Sequence, residues 1–97
     1  MLSIDTIKER IAPICKKYPI RKAYLFGSYA RGEATENSDV DLLVDSNLHG
    51  LRFMGFVEEL REALDDKDMD VFDVTHITPQ SPIADEIQQT RIEIYAQ

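Results

Sequence analysis

Four residues in the first half of the chain have the types and spacing of a metal–phosphate site. Gly27 and Ser28 end one apolar run, and after ten further residues Asp39 and Asp41 begin another. Residues two apart on a β-strand share a face and lie about 6.5 Å apart along the backbone. Their carboxylates can therefore converge on a pair of divalent ions about 3.5–4 Å apart, the separation that two-metal phosphoryl transfer uses. Magnesium prefers such oxygen ligands, completed by water and substrate phosphates.

The Gly27–Ser28 turn can supply the other half of this site, a place for a phosphate. Glycine lets the backbone approach an anion closely, the Ser28 hydroxyl can donate a hydrogen bond, and a helical segment starting here would expose N–H groups. The chain contains no GxxxxGK[ST] run of a Walker loop, and its ENSDVD segment lacks the glycine of a calcium-binding EF-hand. The residues indicate a magnesium-bound nucleotide, and the simpler alternative is a solvent-facing strand after an ordinary turn.

A third carboxylate is expected to complete the site, and the sequence offers two candidates. Asp70 and Asp73 lie on a strand predicted over residues 69–75, where they point to opposite faces. The spacing alone does not decide between them. Arg31, just past the Gly-Ser turn, could reach a triphosphate or a partner protein, or could be a solvated surface arginine.

Helices and strands that alternate along the chain must position these residues. The apolar periodicity predicts a helix over residues 3–17, a strand over 21–26, a helical turn over 28–31, a strand over 39–45, a helix over 51–65, the strand over 69–75, a last short helix from about residue 83, and a strand or docked coil over 92–95. Pro13 should kink or split the first helix because it removes a hydrogen bond. This alternation indicates an α/β or α+β fold in which helices cover a sheet.

The composition fits one small domain over residues 1–97. Apolar residues make up 43% of the chain, and no apolar stretch is long enough to cross a membrane. The N-terminus turns polar at once, which predicts a cytoplasmic protein. A net charge of −7 argues against direct binding of nucleic acid and suits a basic protein partner. The single Cys15 is expected to be a buried structural thiol.

The segment FGSYARGEATENSDVDLLVD resembles the signature of the nucleotidyltransferase superfamily that includes DNA polymerase β. The chain is most similar to the minimal nucleotidyltransferases (MNT proteins) of bacteria and archaea, and the likeness spans nearly its whole length. The resemblance implies a small mixed sheet flanked by helices. It also implies the site residues: Gly27 and Ser28 for the triphosphate, Asp39 and Asp41 for magnesium, and Asp70 as the third acidic residue.

The resemblance further implies an activity and a partner. Such proteins commonly pair with a HEPN-domain toxin, act as its antitoxin in a type VII-like pair, and transfer AMP from ATP to a tyrosine of the toxin with two magnesium ions. We expect no added domain to hold another acceptor, so a second chain should complete the site in a hetero-oligomer. Two alternatives stay open: an antitoxin that neutralises its partner by binding alone, and a small-molecule nucleotidyltransferase.

Overall fold

The computed structural model describes residues 2–97, and their elements follow the order expected from the sequence. Described in chain order, the elements are α1 (Ile4–Lys17), β1 (Lys22–Phe26), α2 (Ser28–Arg31), β2 (Val40–Asp45), α3 (Gly50–Ala63), β3 (Met69–Asp73), a 3-10 turn (Val74–His76), α4 (Pro82–Thr90) and β4 (Ile92–Ala96). The tail that could have been a strand or a coil is therefore a strand. No helix within this described range is both long and apolar enough to cross a lipid bilayer.

The four strands form a mixed sheet in the order β3-β2-β1-β4. β1 pairs antiparallel with both β2 and β4, whereas β2 pairs parallel with β3. The interior strand β2 has side chains on both faces, as the two-residue period requires. Val40, Leu42 and Val44 lie in the main core against the helices α1 and α3, and Leu43 packs on the opposite face with Phe26 and Ile87.

Helix α1 forms as the apolar stripe predicted, with one difference. The Ser3 side chain accepts a hydrogen bond from the N–H of Thr6, and the buried residues of the helix are Ile7, Ile11 and Cys15. Burial raises the pKa of the Cys15 thiol to about 12, as befits a structural cysteine. The predicted split at Pro13 is wrong, because the helix continues past it. Pro13 leaves the carbonyl of Glu9 without its helical partner, and both residues are exposed, so water can satisfy that carbonyl.

Strand β3 ends two residues earlier than predicted because Asp73 caps the turn that follows. An oxygen of its carboxylate accepts a hydrogen bond from the N–H of Thr75 at 3.0 Å, and its own N–H donates to Nδ1 of His76 at 3.1 Å. These two bonds form a capping box, which starts the 3-10 turn instead of continuing the strand.

Candidate active site

The sheet register brings Asp41 beside both the Gly-Ser turn and Asp70. Asp41 is the cross-strand partner of Phe26, the last residue of β1, so the turn begins next to its side chain. On its other side Asp41 is the partner of Asp70 in the parallel pair. Directly paired residues share a face of the sheet. The two carboxylates therefore stand together at the place where β1 turns into α2.

Gly27 lies directly against the Asp41 carboxylate. Its φ of 71° and ψ of −148° fall in a region that is almost exclusive to glycine, and the residue is buried. A methyl group on its Cα would overlap the Oδ2 atom of Asp41. Both the conformation and the space at position 27 thus require a glycine.

A Gly27→Ala substitution is expected to weaken binding of a magnesium–ATP analogue by about tenfold or more, because the new methyl must displace the Asp41 carboxylate. Gly32→Ala is the matched control. Gly32 also has a positive φ, of 74°, but nothing lies within 4 Å of where its Cβ would be. Calorimetric titration should show lost affinity for Gly27→Ala only, with both variants less stable. Equal affinities in the two variants would contradict this account of Gly27.

The charge around Asp41 is strongly negative. Burial, and after it the neighbouring carboxylates of Asp70, Asp39 and Glu86 in that order of importance, together raise the pKa of its carboxyl to about 6. Asp39 is exposed and lies immediately before β2, and Asp70 is exposed on β3. A group of carboxylates that repel one another in this way is a place where a cation would be stabilising.

Arg31 lies close to this site but already has two acidic partners. Its Nη1 is 2.5 Å from Glu86 Oε1, and its Nε is 3.2 Å from Glu33 Oε2. The structure thus places Arg31 in a surface ion-pair network at the end of α2. A triphosphate could engage this guanidinium only by sharing it with these glutamates.

Asp73, the other candidate for the third carboxylate, lies away from the site. It is only 2% exposed, and Oδ1 accepts hydrogen bonds from the N–H and hydroxyl of Ser46 at 2.9 and 2.7 Å. Oδ2 accepts two more from Thr75. Burial acts to raise the pKa of Asp73, but the hydrogen bonds from Thr75 and Ser46 outweigh it and the pKa is lowered. The structure brings Asp70, and not Asp73, to Asp41.

The donor atoms at the site fit magnesium better than a softer metal. Within residues 2–97, no three acidic, histidine or cysteine side chains already form a group that could hold an ion by themselves. Magnesium does not need such a cage, since one or two carboxylates with water and substrate phosphates satisfy it. Asp41 and Asp70 supply the carboxylates, and a nucleotide would supply the phosphates.

Comparison with known families identifies the chain. Residues 9–97 match the family described as polymerase β nucleotidyltransferase. The chain belongs to that family. The matched range contains the whole candidate site, so the resemblance carried by the FGSYARGEATENSDVDLLVD segment is confirmed. The expected α+β fold with a mixed sheet is also confirmed, and the protein is a nucleotidyltransferase.

Two relatives of this nucleotidyltransferase align over most of the chain. A Methanocaldococcus jannaschii protein that carries the provisional name of protein adenylyltransferase is 40% identical over 81 residues, covering 80% of this chain and 85% of the relative. The protein adenylyltransferase MntA of Thermococcus cleftensis is 46% identical over 69 residues, covering 66% of this chain and 70% of the relative.

Three solved structures share the fold of this nucleotidyltransferase. A protein provisionally described as a minimal nucleotidyltransferase has a TM-score of 0.76 at 25% identity, covering 94% of this chain and 95% of the other. A chain of a toxin–antitoxin complex with AMP-PNP has a TM-score of 0.76 at 22% identity, covering 93% and 73%. A chain from the complex of a tri-AMPylated Shewanella oneidensis HEPN toxin with MNT antitoxin has a TM-score of 0.71 at 18% identity, covering 97% and 73%. At their identities the two complexes show the fold alone.

Two residues of α4 reach the site, and the sequence analysis missed both. Glu86 pairs with Arg31 and adds to the negative charge around Asp41, and Thr90 accepts a hydrogen bond from the N–H of Gly27. One signal for Thr90 was present. It follows Ile83 and Ile87 at helical spacing, so it lies on the apolar stripe of α4, where a polar side chain needs a partner.

Proposed function

We propose that this nucleotidyltransferase transfers AMP from ATP to a hydroxyl of a cognate HEPN toxin, and that it acts as the toxin's antitoxin. The observation that carries the proposal is the alignment of Asp41 with Asp70 beside the glycine turn. The names of the two relatives support protein adenylylation, and the complexes with the same fold support a toxin as partner. A tyrosine is the proposed acceptor on that toxin.

The reaction needs the triphosphate and the acceptor hydroxyl to meet at the paired carboxylates. Asp39, Asp41 and Asp70 would hold two magnesium ions with the nucleotide, while Gly27 and Ser28 would hold the phosphates. Magnesium bound there would supply positive charge that stabilises the transferring phosphate. The acceptor oxygen bonds to the α-phosphorus as the bond to pyrophosphate breaks, and the hydroxyl proton passes to a carboxylate. We assign that proton to Asp70, because it is the more exposed member of the pair.

A second protein chain completes the site in this proposal. The sheet lies behind the carboxylates on one side, and in this proposal an acceptor approaches from the exposed side of Asp39 and Asp70. The net charge of −7 favours a basic partner through complementary charge. We therefore propose a hetero-oligomer with the toxin, located in the cytoplasm where ATP is available, without direct binding to nucleic acid.

The transferase proposal can be tested with the protein encoded next to this one. Wild type, the neighbouring protein, labelled ATP and magnesium are expected to give AMP on a tyrosine, identified by mass spectrometry. The double variant Asp39→Asn/Asp41→Asn should reduce transfer by about 10³-fold or more, since it removes carboxylates that hold the ions. Equal labelling by wild type and the double variant would show that this site is not the catalytic one.

Neutralisation by binding alone is a second candidate, favoured by an apolar patch on α3. Leu51 and Met54 are 85% and 65% exposed and lie three residues apart on that helix. Such side chains are suited to a protein interface. In cells, rescue from toxicity that survives Asp39→Asn/Asp41→Asn would favour this candidate, whereas loss of rescue favours the transferase.

A further inference from the structure

Thr90, the last residue of α4, is bonded to the Gly-Ser turn although 63 residues separate them in sequence. The N–H of Gly27 donates to Thr90 Oγ1 at 3.1 Å, and the Thr90 hydroxyl donates to the carbonyl of Glu86 at 2.7 Å. A hydroxyl has one proton and two lone pairs. Because the proton is committed to Glu86, only a lone pair faces Gly27, and the threonine acts there purely as an acceptor.

This hydrogen bond holds Gly27, the residue that lies against the Asp41 carboxylate. Gly27 is buried, so its N–H would otherwise lack a partner, and an unpaired buried donor is destabilising. Its Cα lies against Asp41, with no space even for a methyl group. A shift of the turn to find another acceptor would therefore move Ser28 or press on Asp41.

The attachment of α4 to the sheet does not depend on Thr90 alone. Ile87 is buried with Phe26 and Leu43 in the second apolar cluster, and Glu86 forms its ion pair with Arg31. Loss of the hydroxyl should leave the helix in place. Its effect should then be confined to the turn that the hydroxyl holds.

We propose that Thr90 is a positioning residue for nucleotide binding, which acts by holding the N–H of Gly27 and so the turn against Asp41. The inference rests on the proposed function, because it names a residue that supports the same site. The β-branched side chain of threonine restricts its χ1 rotation, which keeps the oxygen on the turn. Serine should replace it well but not fully, and valine should not replace it.

The test compares Thr90→Val, which has nearly the same shape but no acceptor, with Thr90→Ser, which keeps the oxygen. Calorimetric titration with magnesium and a non-hydrolysable ATP analogue, well below the unfolding temperature, should show about tenfold weaker binding for valine and a change within about threefold for serine. In the transfer assay KM for ATP should rise more than kcat falls. Thr6→Val, at a half-buried threonine of α1 remote from the site, is the control and should bind as wild type does.

The outcomes separate this inference from the function on which it rests. If Thr90→Val lowers only the melting temperature and the folded protein binds the analogue as wild type does, Thr90 is merely structural and the inference is wrong. If wild type itself fails to bind the analogue, the proposed function fails first. Thr90→Ala is a second variant that tests the inference. A water can replace the missing oxygen in it, so its affinity for the ATP analogue should lie between those of Thr90→Val and Thr90→Ser.

Discussion

The Asp41→Asn variant is expected to unfold at a higher temperature than wild type in EDTA at pH 7, although it should lose about 10³-fold or more of the transfer activity. The physical reason is the crowding of carboxylates without a cation. Burial and the neighbouring carboxylates together raise the pKa of Asp41 to about 6, and Asp70 is the largest charged contributor. At pH 7 the Asp41 carboxylate is ionised in the folded protein, and its repulsion by the neighbouring carboxylates lowers the free energy of unfolding. An asparagine has the same shape but no charge, so it avoids this repulsion.

The pH dependence of the stability difference follows from the sign of this pKa shift. The folded pKa of about 6 lies above the ordinary value of 3.8, so the group favours the folded state most below the ordinary value, and this contribution is lost as the pH rises through about 6. The gain in the free energy of unfolding on replacing Asp41 by asparagine should therefore be near zero at pH 4. It should reach about 1–3 kcal/mol at pH 7, allowing for partial solvent screening.

Thermal unfolding in EDTA from pH 4 to pH 7 measures this directly. Asp45→Asn is a control on the same strand, because Asp45 pairs with Arg21 at 2.6 Å instead of facing other carboxylates. It should lose a little stability or none at pH 7, and gain nothing. With magnesium and the ATP analogue present, wild type should be stabilised and Asp41→Asn should not. Superimposable melting curves for wild type and Asp41→Asn at every pH would show that the carboxylates do not repel one another as described.

Local patterns predicted the helices and strands and two of the groups that the sheet brings together. The two-residue period of a strand predicted Asp39 and Asp41 on one face, although Asp39 lies just before β2, and the glycine turn marked the end of β1 beside Asp41. Sequence spacing could not decide between Asp70 and Asp73, because the answer depends on which residue of β3 pairs with Asp41. That register is set by the packing of the whole sheet.

Contacts between distant parts of the chain account for most of what sequence reasoning could not reach. Thr90 and Glu86 come to the site only because α4 packs back onto β1, and no local pattern specifies where along the strand it lies. Arg31 was open to several roles, and its pairing with Glu86 depends on the same packing. Pro13 shows a different case, in which a local rule predicted a kink or a split and the helix nevertheless continues past an exposed proline.

Asp73→Asn is expected to lower the free energy of unfolding by about 2–4 kcal/mol at pH 7, a large fraction of the stability of a small domain. Each carboxylate oxygen of Asp73 accepts two hydrogen bonds, Oδ1 from Ser46 and Oδ2 from Thr75. An asparagine must turn its NH2 group toward one of those pairs of donors. Donors would then face donors in a site that is almost closed to water, and an NH2 group turned toward Thr75 would also remove the cap of the 3-10 turn.

Urea unfolding measures this loss, and its pH dependence identifies the cause. The lowered pKa means that Asp73 stabilises the fold above the ordinary value of 3.8 and that this contribution disappears as the pH falls through the folded pKa. The deficit of Asp73→Asn should therefore shrink in acid, opposite to the pattern for Asp41. Asp70→Asn is the matched control three residues earlier on β3. Asp70→Asn should lose no stability, because it removes a charge that repels Asp41, and it should lose transfer. Asp73→Asn, measured while folded, should keep transfer. If Asp73→Asn abolished transfer without loss of stability, the two aspartates would have exchanged the roles that the sheet register assigns them.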